Sequence, residues 1–468
     1  MNKDDLELLS QAELIDILLN QAEQLARLTT ALQKVQADYE ALKMKFDHNR
    51  KPPTTSQNSS QPPSQDHKRR LPKDRHRKKH GPPAGHEKHE RKFVAQADQV
   101  VEVRTQACPH CSTDLQAEAG QLVKVNQITE LPEAPAQVIE VRQYASTCPQ
   151  CQQTQVAQPP AGLEMQRTFG ARLEATVAYY RQEQHLSYQR TQATLWDLHR
   201  VKMSQGGIDA IMKRTGQRAL PQAAEIQTEI QHSRVVHSDE TGSRVGGDNW
   251  WEWVFCSARA VLHVTRFNRS VDVIHEVMGA SQAEVWVSDC WHSQLKAPAR
   301  QRQLCLAHQL RNLQAVVDAY PPLLWPKVMQ ALFRHAIHLH HQQDQLSPEE
   351  FCTQVARVER ICDRLLQHGL EPPAAQTLQH RYQKHRHSLF VFLYRTDVEP
   401  TNNVSERALR HSVVHRKVTG CFRSQWGSQA YAALASVIDT AELSGVRAFE
   451  AIQSLLGRPA LPLPVSGE

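Results

Sequence analysis

The 468-residue chain has no run of 18 consecutive apolar residues, so no membrane-spanning helix is expected. Its first residues, MNKDDLELLSQ, lack the basic region that opens a secretory signal, and a cytoplasmic protein is expected. Without an export signal, the ten cysteines point to metal ligation or buried thiols rather than disulfides. A single small module is excluded, since the length corresponds to about three domains of roughly 150 residues.

What is present is unevenly distributed. The formal net charge is +6, yet Lys68, Arg69, Arg70, Lys73, Arg75, Arg77, Lys78 and Lys79 against the single acid Asp74 already give +7, leaving −1 for the rest of the chain. A basic tract in an otherwise near-neutral protein implies a polyanionic partner, most often nucleic acid. The tract lies in residues 48–92, rich in Pro, Ser, Gln and basic side chains and almost devoid of large apolar ones. Such a segment buries too little to offset its ordering entropy, so it reads as a disordered basic linker. A purely solubilising tether is the simpler alternative.

Before it, residues 1–47 carry a heptad pattern. Leu14, Gln21, Leu28, Val35 and Leu42 fall on one position, and Leu18, Leu25, Leu32, Tyr39 and Phe46 on the other. This spacing predicts a short self-associating coiled coil, or else an amphipathic helix packed on its own protein. Residues 93–160 switch to short β-type runs at 99–104, 122–131 and 136–146, around Cys108-Pro-His-Cys111 and Cys148-Pro-Gln-Cys151. Two CxxC knuckles offer four thiolates for a closed tetrahedral Zn²⁺ site, which would be structural because no position is left for water. Redox dithiols are the alternative. A β-rich zinc ribbon is therefore expected.

Residues 161–232 read as helical. Ser187 is placed to cap one helix and Ser204 another, and the intervening turn with Lys202, Lys213 and Arg214 resembles a helix-turn-helix, although a plain helical region reads almost equally well. From Ser233 the segments SRVVHSDETGSRV, NWWEWVFCSA and AVLHVTRF predict three successive strands, then a helix in SVDVIHEVMG and a fourth strand in AEVWVSDC. That order opens an RNase H-like α/β fold. Asp239 lies in the first strand and Asp289 at the end of the fourth, where neighbouring strands can bring two carboxylates together. Unpaired, they repel each other and call for divalent cations. Glu240 should face the opposite side of its strand. A third acid, Glu406, has a simpler reading: a capping box with Asn403 and an ion pair with Arg410.

HSDETGSRV, NWWEWVF, VWVSDC, CLAHQLRNL, EPTNNVSERALR and KVTGCFRSQWGSQAYAALASVIDTAELSG, in this order behind the two knuckles, the basic GPPAGH tract and the heptads, resemble transposases of the insertion sequence 66 family. The resemblance implies an Asp-Asp-Glu transposase with an RNase H-like core. Asp239 would match the acid of the D-E-T-G motif, Asp289 the acid after the fourth strand, and Glu406 the acid of the N-N-x-x-E-R motif. These would hold two Mg²⁺ or Mn²⁺ ions for cleavage of element ends and strand transfer into double-stranded target DNA. Between Asp289 and Glu406 lie 116 residues, so a helical insertion over about 304–395 is expected. Two departures stand out. Thr401 precedes Asn402-Asn403 where the family often has Asp, and Cys290-Trp291 follow the second acid where a small or aromatic residue is common.

The expected architecture is thus multidomain: coiled coil (1–47), linker (48–92), zinc ribbon (93–160), helical DNA-binding-like region (161–232), catalytic core (233–425) and a C-terminal helical region (426–468). The implied setting is nucleoid-associated, as a homodimer or larger assembly, with accessory element-encoded proteins as further partners. Arg407 and Arg410 are candidate phosphate clamps, with an ordinary helix-face role as the alternative, and Asn402 and Asn403 either shape the site or cap the helix, capping being the simpler reading. Cys305 and His308 have a metal-like i,i+3 spacing but no evident partner in sequence. His335, His338, His340 and His341 read as a solvated helical face. Two other classes remain open: a non-catalytic zinc-containing DNA-binding protein derived from a transposase, and an RNase H-like nuclease or resolvase that cuts without joining.

Overall fold

The computed structural model describes residues 24, 27–36, 38–39, 54–55, 93–116, 121–131, 136–160, 163–164 and 168–457. The basic tract from Lys68 to Lys79 and much of the heptad segment lie outside them. Within the heptad segment residues 27–36 are helical, and Leu28, Leu32, Val35 and Tyr39 are all exposed.

The two cysteine knuckles share one backbone design. Cys108 N–H donates to Thr113 O at 2.9 Å and Ser112 N–H to Cys108 O at 2.8 Å; Cys148 N–H donates to Gln153 O and Gln152 N–H to Cys148 O, both at 2.9 Å. Ser112 and Gln152 both adopt φ 60° to close the turn. The second knuckle is flanked by an antiparallel hairpin, β1 (Ala145–Thr147) and β2 (Thr154–Val156). Less of this region is β-structure than its alternation suggests. The runs at 99–104 and 122–131 form no strands, and their apolar residues, such as Val103 and Val123, stand exposed with no opposing layer to bury them. Period-two alternation becomes a stable strand only where one face is covered.

Three helices follow: α1 (Ala171–Gln182), α2 (Tyr188–His199) and α3 (Gln205–Gln231). Both expected caps form. Ser187 Oγ accepts from Arg190 N–H at 3.2 Å, and Ser204 Oγ accepts from Gly207 N–H at 3.0 Å. Arg200, left-handed at φ 56°, ends α2. With 27 residues, α3 is longer than the sequence reading implied. Its middle packs against the C-terminal helices through Ala219 and its end joins the sheet core through Ile230.

The central sheet comprises β3 (Val235–Val245), β4 (Asp248–Cys256), β5 (Val261–Arg266), β6 (Ala283–Ser288) and β7 (Ala299–Leu304), with α4 (Val271–Met278) between β5 and β6. The order is β5-β4-β3-β6-β7. β3, β4 and β5 pair antiparallel, whereas β6 runs parallel to β3 and β7 parallel to β6. Gly246 and Gly247, at φ 63° and 97°, make the two-residue turn between β3 and β4, a conformation that suits a tight hairpin and disfavours residues with a Cβ. Alternation assigns the faces. Val236, Trp253, Phe255, Leu262 and Trp286 pack with Ile274, Val277 and Met278 of α4; Val254, Cys256 and Val261 face the other way.

The expected helical insertion is present as α5 (Leu306–Ala319), α6 (Trp325–His341), α7 (Pro348–Leu366) and α8 (Pro373–Lys384). Its core, including Leu313, Phe333, Val358 and Tyr382, is continuous with Val285 and Val287 of β6. His335, His338 and His341 lie on the exposed side of α6, as expected, while His340 packs edge-on against Phe392.

Helices α9 (Asn403–Thr419), α10 (Gln425–Leu443) and α11 (Ala448–Leu455) complete the fold. On the edge strand β5, Val261 N–H donates to Thr440 Oγ1 at 3.0 Å and His263 N–H to Ser436 Oγ at 2.8 Å. The hydroxyls of α10 thus satisfy edge groups that would otherwise invite another strand. Among the described residues no helix is long and apolar enough to cross a membrane.

Candidate active site

Register relates the first two acids. β3 and β6 pair as Val235↔Val285, Val236↔Trp286 and His237↔Val287; Asp239 and Asp289 each lie two residues beyond the last of these pairs, past the end of the paired stretch. Asp239 Oδ1 accepts from Glu240 N–H at 2.9 Å, and Asp289 Oδ1 accepts from Trp291 N–H at 2.8 Å. Burial pushes the Asp239 carboxyl well above its ordinary range, and the negative charges of Glu240, Asp289 and Glu406 push it further. The acids therefore share one electrostatic field.

Glu240 points the other way, as strand alternation requires. Its buried carboxylate accepts from Arg269 at 2.7 Å and from Gln294 Nε2 at 2.6 Å. Arg269 also lies over the rings of Trp251 and Trp291, at 4.6 and 3.8 Å from their centroids. Trp291, two residues beyond Asp289 and 40% exposed, is thereby packed against Arg269.

Helix α9 brings Glu406, and two clamps place it. At its start, fully buried Asn402 donates through Nδ2 to Ser238 O at 2.8 Å, accepts from Ser405 Oγ at 3.0 Å, and donates its backbone N–H to Cys305 Sγ at 3.1 Å. Near its end, Arg416 donates to Thr241 Oγ1 at 3.1 Å and to Gly242 O. The residues flanking Asp239 thus tie both ends of α9 to β3. Neither clamp is legible in sequence, because each spans more than 160 residues; the Asn-Asn pair beside Glu406 is the available signal, and of its two readings, site-shaping and capping, the Asn402 contacts follow the first.

The capping reading of Glu406 is not what forms. The helix begins at Asn403, with Asn402 at the cap position and no side-chain capping bond. Glu406 lies one position too far along for a capping box and turns to α5. Arg311 donates to its Oε1 at 3.0 Å, and His308 Nδ1 lies 3.6 Å from the same oxygen. Cys305, His308 and Glu406 form, among the described residues, the one group of three His, Cys, Asp or Glu side chains whose ligand atoms all lie within 4.8 Å of one another. Burial and the Arg311 charge lower the His308 pKa, partly offset by Glu406 and Asp289. Arg407 and Arg410, on the exposed face of α9, point to solvent.

At the knuckles, all four thiols are free of disulfides. Hydrogen bonds from Thr113 lower the Cys111 thiol, and backbone hydrogen bonds from Cys151 and Gln150 lower that of Cys148, favouring the thiolate. The four sulfurs are not gathered within mutual ligand distance. In the helical region, Lys202 Nζ lies 5.2 Å from the Trp196 ring centroid and Lys213 Nζ 5.2 Å from that of Trp426. Arg214 is engaged internally, donating to buried Glu174 at 2.6 Å.

The sheet is mixed α/β, and Asp239 feels the charges of Asp289 and Glu406, although the three carboxylates are not, among the described residues, gathered within 4.8 Å of one another. The chain belongs to the Transposase IS66 family, whose model matches residues 166–430. That stretch runs from the helical region through the sheet, the insertion and α9 into α10, and membership makes the protein a transposase. No curated protein matches the chain.

Proposed function

We propose that this transposase cleaves the ends of its element and joins them to target DNA through Asp239, Asp289 and Glu406. What supports this reading is the parallel β3–β6 register, in which Asp239 and Asp289 each follow the last pair, His237↔Val287, by two residues, together with the influence of Asp289 and Glu406 on Asp239. The strand order, with three antiparallel strands followed by two parallel ones, supports an RNase H-like core. Hard carboxylate oxygens, with the Asp239 carboxyl pushed up by burial and by the neighbouring acids, fit Mg²⁺ or Mn²⁺. When bound, a pair of such ions would activate water or a DNA 3′-hydroxyl and stabilise the leaving oxygen.

The chain's own groups do the rest. Asp239 and Asp289 present their carboxylates past the paired stretch of β3 and β6, and the Asn402 and Arg416 clamps fix the approach of Glu406. Glu406 must exchange Arg311 for a cation, which frees a guanidinium at the site for a DNA phosphate. Arg407 and Arg410 offer further phosphate contacts on the same helix. The knuckles supply a thiolate set suited to structural Zn²⁺, and the basic tract from Lys68 to Lys79 supplies salt-sensitive attraction to duplex DNA. Two ends brought to one target require a dimer or larger assembly, for which the exposed heptad face is available.

The test is a Mg²⁺-dependent cleavage and strand-transfer assay on duplexes carrying the element's terminal repeats. Asp239→Ala, Asp289→Ala and Glu406→Ala should each abolish both steps while leaving end binding intact. An Asp239→Ala protein that still nicks those ends would overturn the assignment. Binding without any cleavage by the unaltered chain would instead favour a non-catalytic DNA-binding derivative, and cutting without joining would favour a nuclease or resolvase.

A further inference from the structure

We propose that Cys305, His308 and Glu406 form a second, separate metal site for a borderline transition-metal ion of the Zn²⁺ class, and that filling it withdraws Glu406 from the acid cluster and inhibits the enzyme. The inhibitory half rests on the catalytic reading of Glu406; the binding half does not.

The donor set makes the first argument. One sulfur, one imidazole nitrogen and one carboxylate oxygen lie within 4.8 Å of one another. Thiolate and imidazole select Zn²⁺ and its neighbours over Mg²⁺, which prefers oxygen alone. Zinc bonds of about 2.0–2.3 Å place such donors roughly 3.5 Å apart, so small side-chain rotations would close the site.

The second argument is the state of the donors. Cys305 precedes α5 and His308 lies one turn into it, an i,i+3 spacing that puts both on one side of the helix. The Nδ1 atom of His308 is buried and makes no hydrogen bond, although it lies 3.6 Å from Glu406 Oε1. A buried, unused imidazole nitrogen facing a carboxylate is unfavourable unless something comes between them. The Cys305 sulfur accepts backbone N–H groups, that of Asn402 at 3.1 Å and those of His308 and Ala307 at the start of α5, donors that stabilise the thiolate a metal would bind. The Glu406 side chain is 28% exposed, giving an entering ion a path from solvent.

Arg311 completes the logic. It now supplies the positive charge that Glu406 requires, at 3.0 Å. A divalent ion in the Cys305–His308–Glu406 site would replace that charge, and the Cys305 thiol would lose its proton to solvent as the metal–sulfur bond forms. Three protein ligands leave one position open for water. Glu406, turned towards α5, could not at the same time complete the shell at Asp239 and Asp289.

The experiment uses the full chain with its cysteine knuckles first loaded with Zn²⁺, then titrated with Co²⁺ as a spectroscopic probe. One further ion per chain is expected, with a thiolate-to-cobalt charge-transfer band. Cys305→Ser should remove the band, and His308→Ala should weaken the added ion at least tenfold; because the His308 side chain is 18% exposed whereas Cys305 is fully buried, that variant tests the site even if Cys305→Ser folds poorly. Zn²⁺ beyond the knuckle equivalents should inhibit Mg²⁺-dependent cleavage, and His308→Ala, measured against its own uninhibited rate, should need at least tenfold more Zn²⁺ for the same inhibition. Absence of the extra ion, or a band that survives Cys305→Ser, would overturn the site. Binding of the extra ion without inhibition would overturn the switch. If the unaltered chain showed no cleavage at all, the catalytic reading would fail while the cobalt titration still decided the site.

Discussion

Replacing His263 with Gln should remove a pH-dependent brace behind the candidate active site. His263 is buried in β5, with Nδ1 3.2 Å from Glu252 Oε1 and Nε2 2.9 Å from Asp439 Oδ2. Ser412 of α9 donates to the same Glu252 oxygen, so the network links β4, β5, α9 and α10. Burial disfavours the imidazolium, but hydrogen bonds to Asp439 and Glu252 outweigh it and raise the pKa from 6.5 to about 10. Because the folded value lies above the unfolded one, this stabilisation is fully present below pH 6.5 and is lost as pH rises through about 10. At roughly 1.4 kcal/mol per pH unit, the interval corresponds to a contribution on the order of 5 kcal/mol. Removing the histidine also leaves Glu252 buried without its counter-charge, a change that typically costs about 3–5 kcal/mol. Denaturant unfolding followed by near-ultraviolet circular dichroism of buried Trp253 and Trp286 provides the assay. The difference between the unaltered chain and His263→Gln should be several kcal/mol at pH 6 and shrink steadily towards pH 10. A difference that stays constant across that range would refute the reasoning.

Three further outcomes follow from the site. Asn402→Ala should cost about 1–3 kcal/mol by leaving Ser238 O unsatisfied, and cleavage should fall more than end binding, since the clamp on α9 loosens; equal losses in both assays would contradict a positioning role. Arg269→Ala should destabilise the fold by about 3–5 kcal/mol because Glu240 would be left buried without its cation, and Arg269→Ala/Glu240→Gln should recover much of that loss in thermal denaturation. Burial and the neighbouring acids raise the Asp239 pKa, so with EDTA the melting temperature should fall as pH rises from the ordinary Asp range through the raised value. Mg²⁺ should reverse that fall, and Asp239→Asn should lose both effects; a metal-independent pH profile would argue against an acid cluster built for cations.

Sequence alone determined whatever depends on near neighbours. Helix starts at Ser187 and Ser204 were legible because a cap bonds a backbone group two or three residues away. The β3–β4–β5–α4–β6 order followed from side-chain alternation and period, and the placement of Glu240 on the face opposite Asp239 from alternation within one strand. The histidine-rich face of α6 was equally local. The paired-cysteine turns were visible from spacing, although the β-runs around them lacked the covering layer that turns alternation into sheet.

Tertiary structure alone decided what lies across the chain from each acid. Which residue of β6 lies beside each residue of β3 depends on a parallel register between distant strands. Glu406 looked like half of a capping box because its local sequence is that of one; the fold moved the helix start by a residue and supplied Arg311 from 95 residues away. The same contact gave Cys305 and His308 the third ligand that their own helix could not provide. Caps and alternation are fixed within a few residues, whereas a charge partner or a metal ligand is fixed only when separate elements pack.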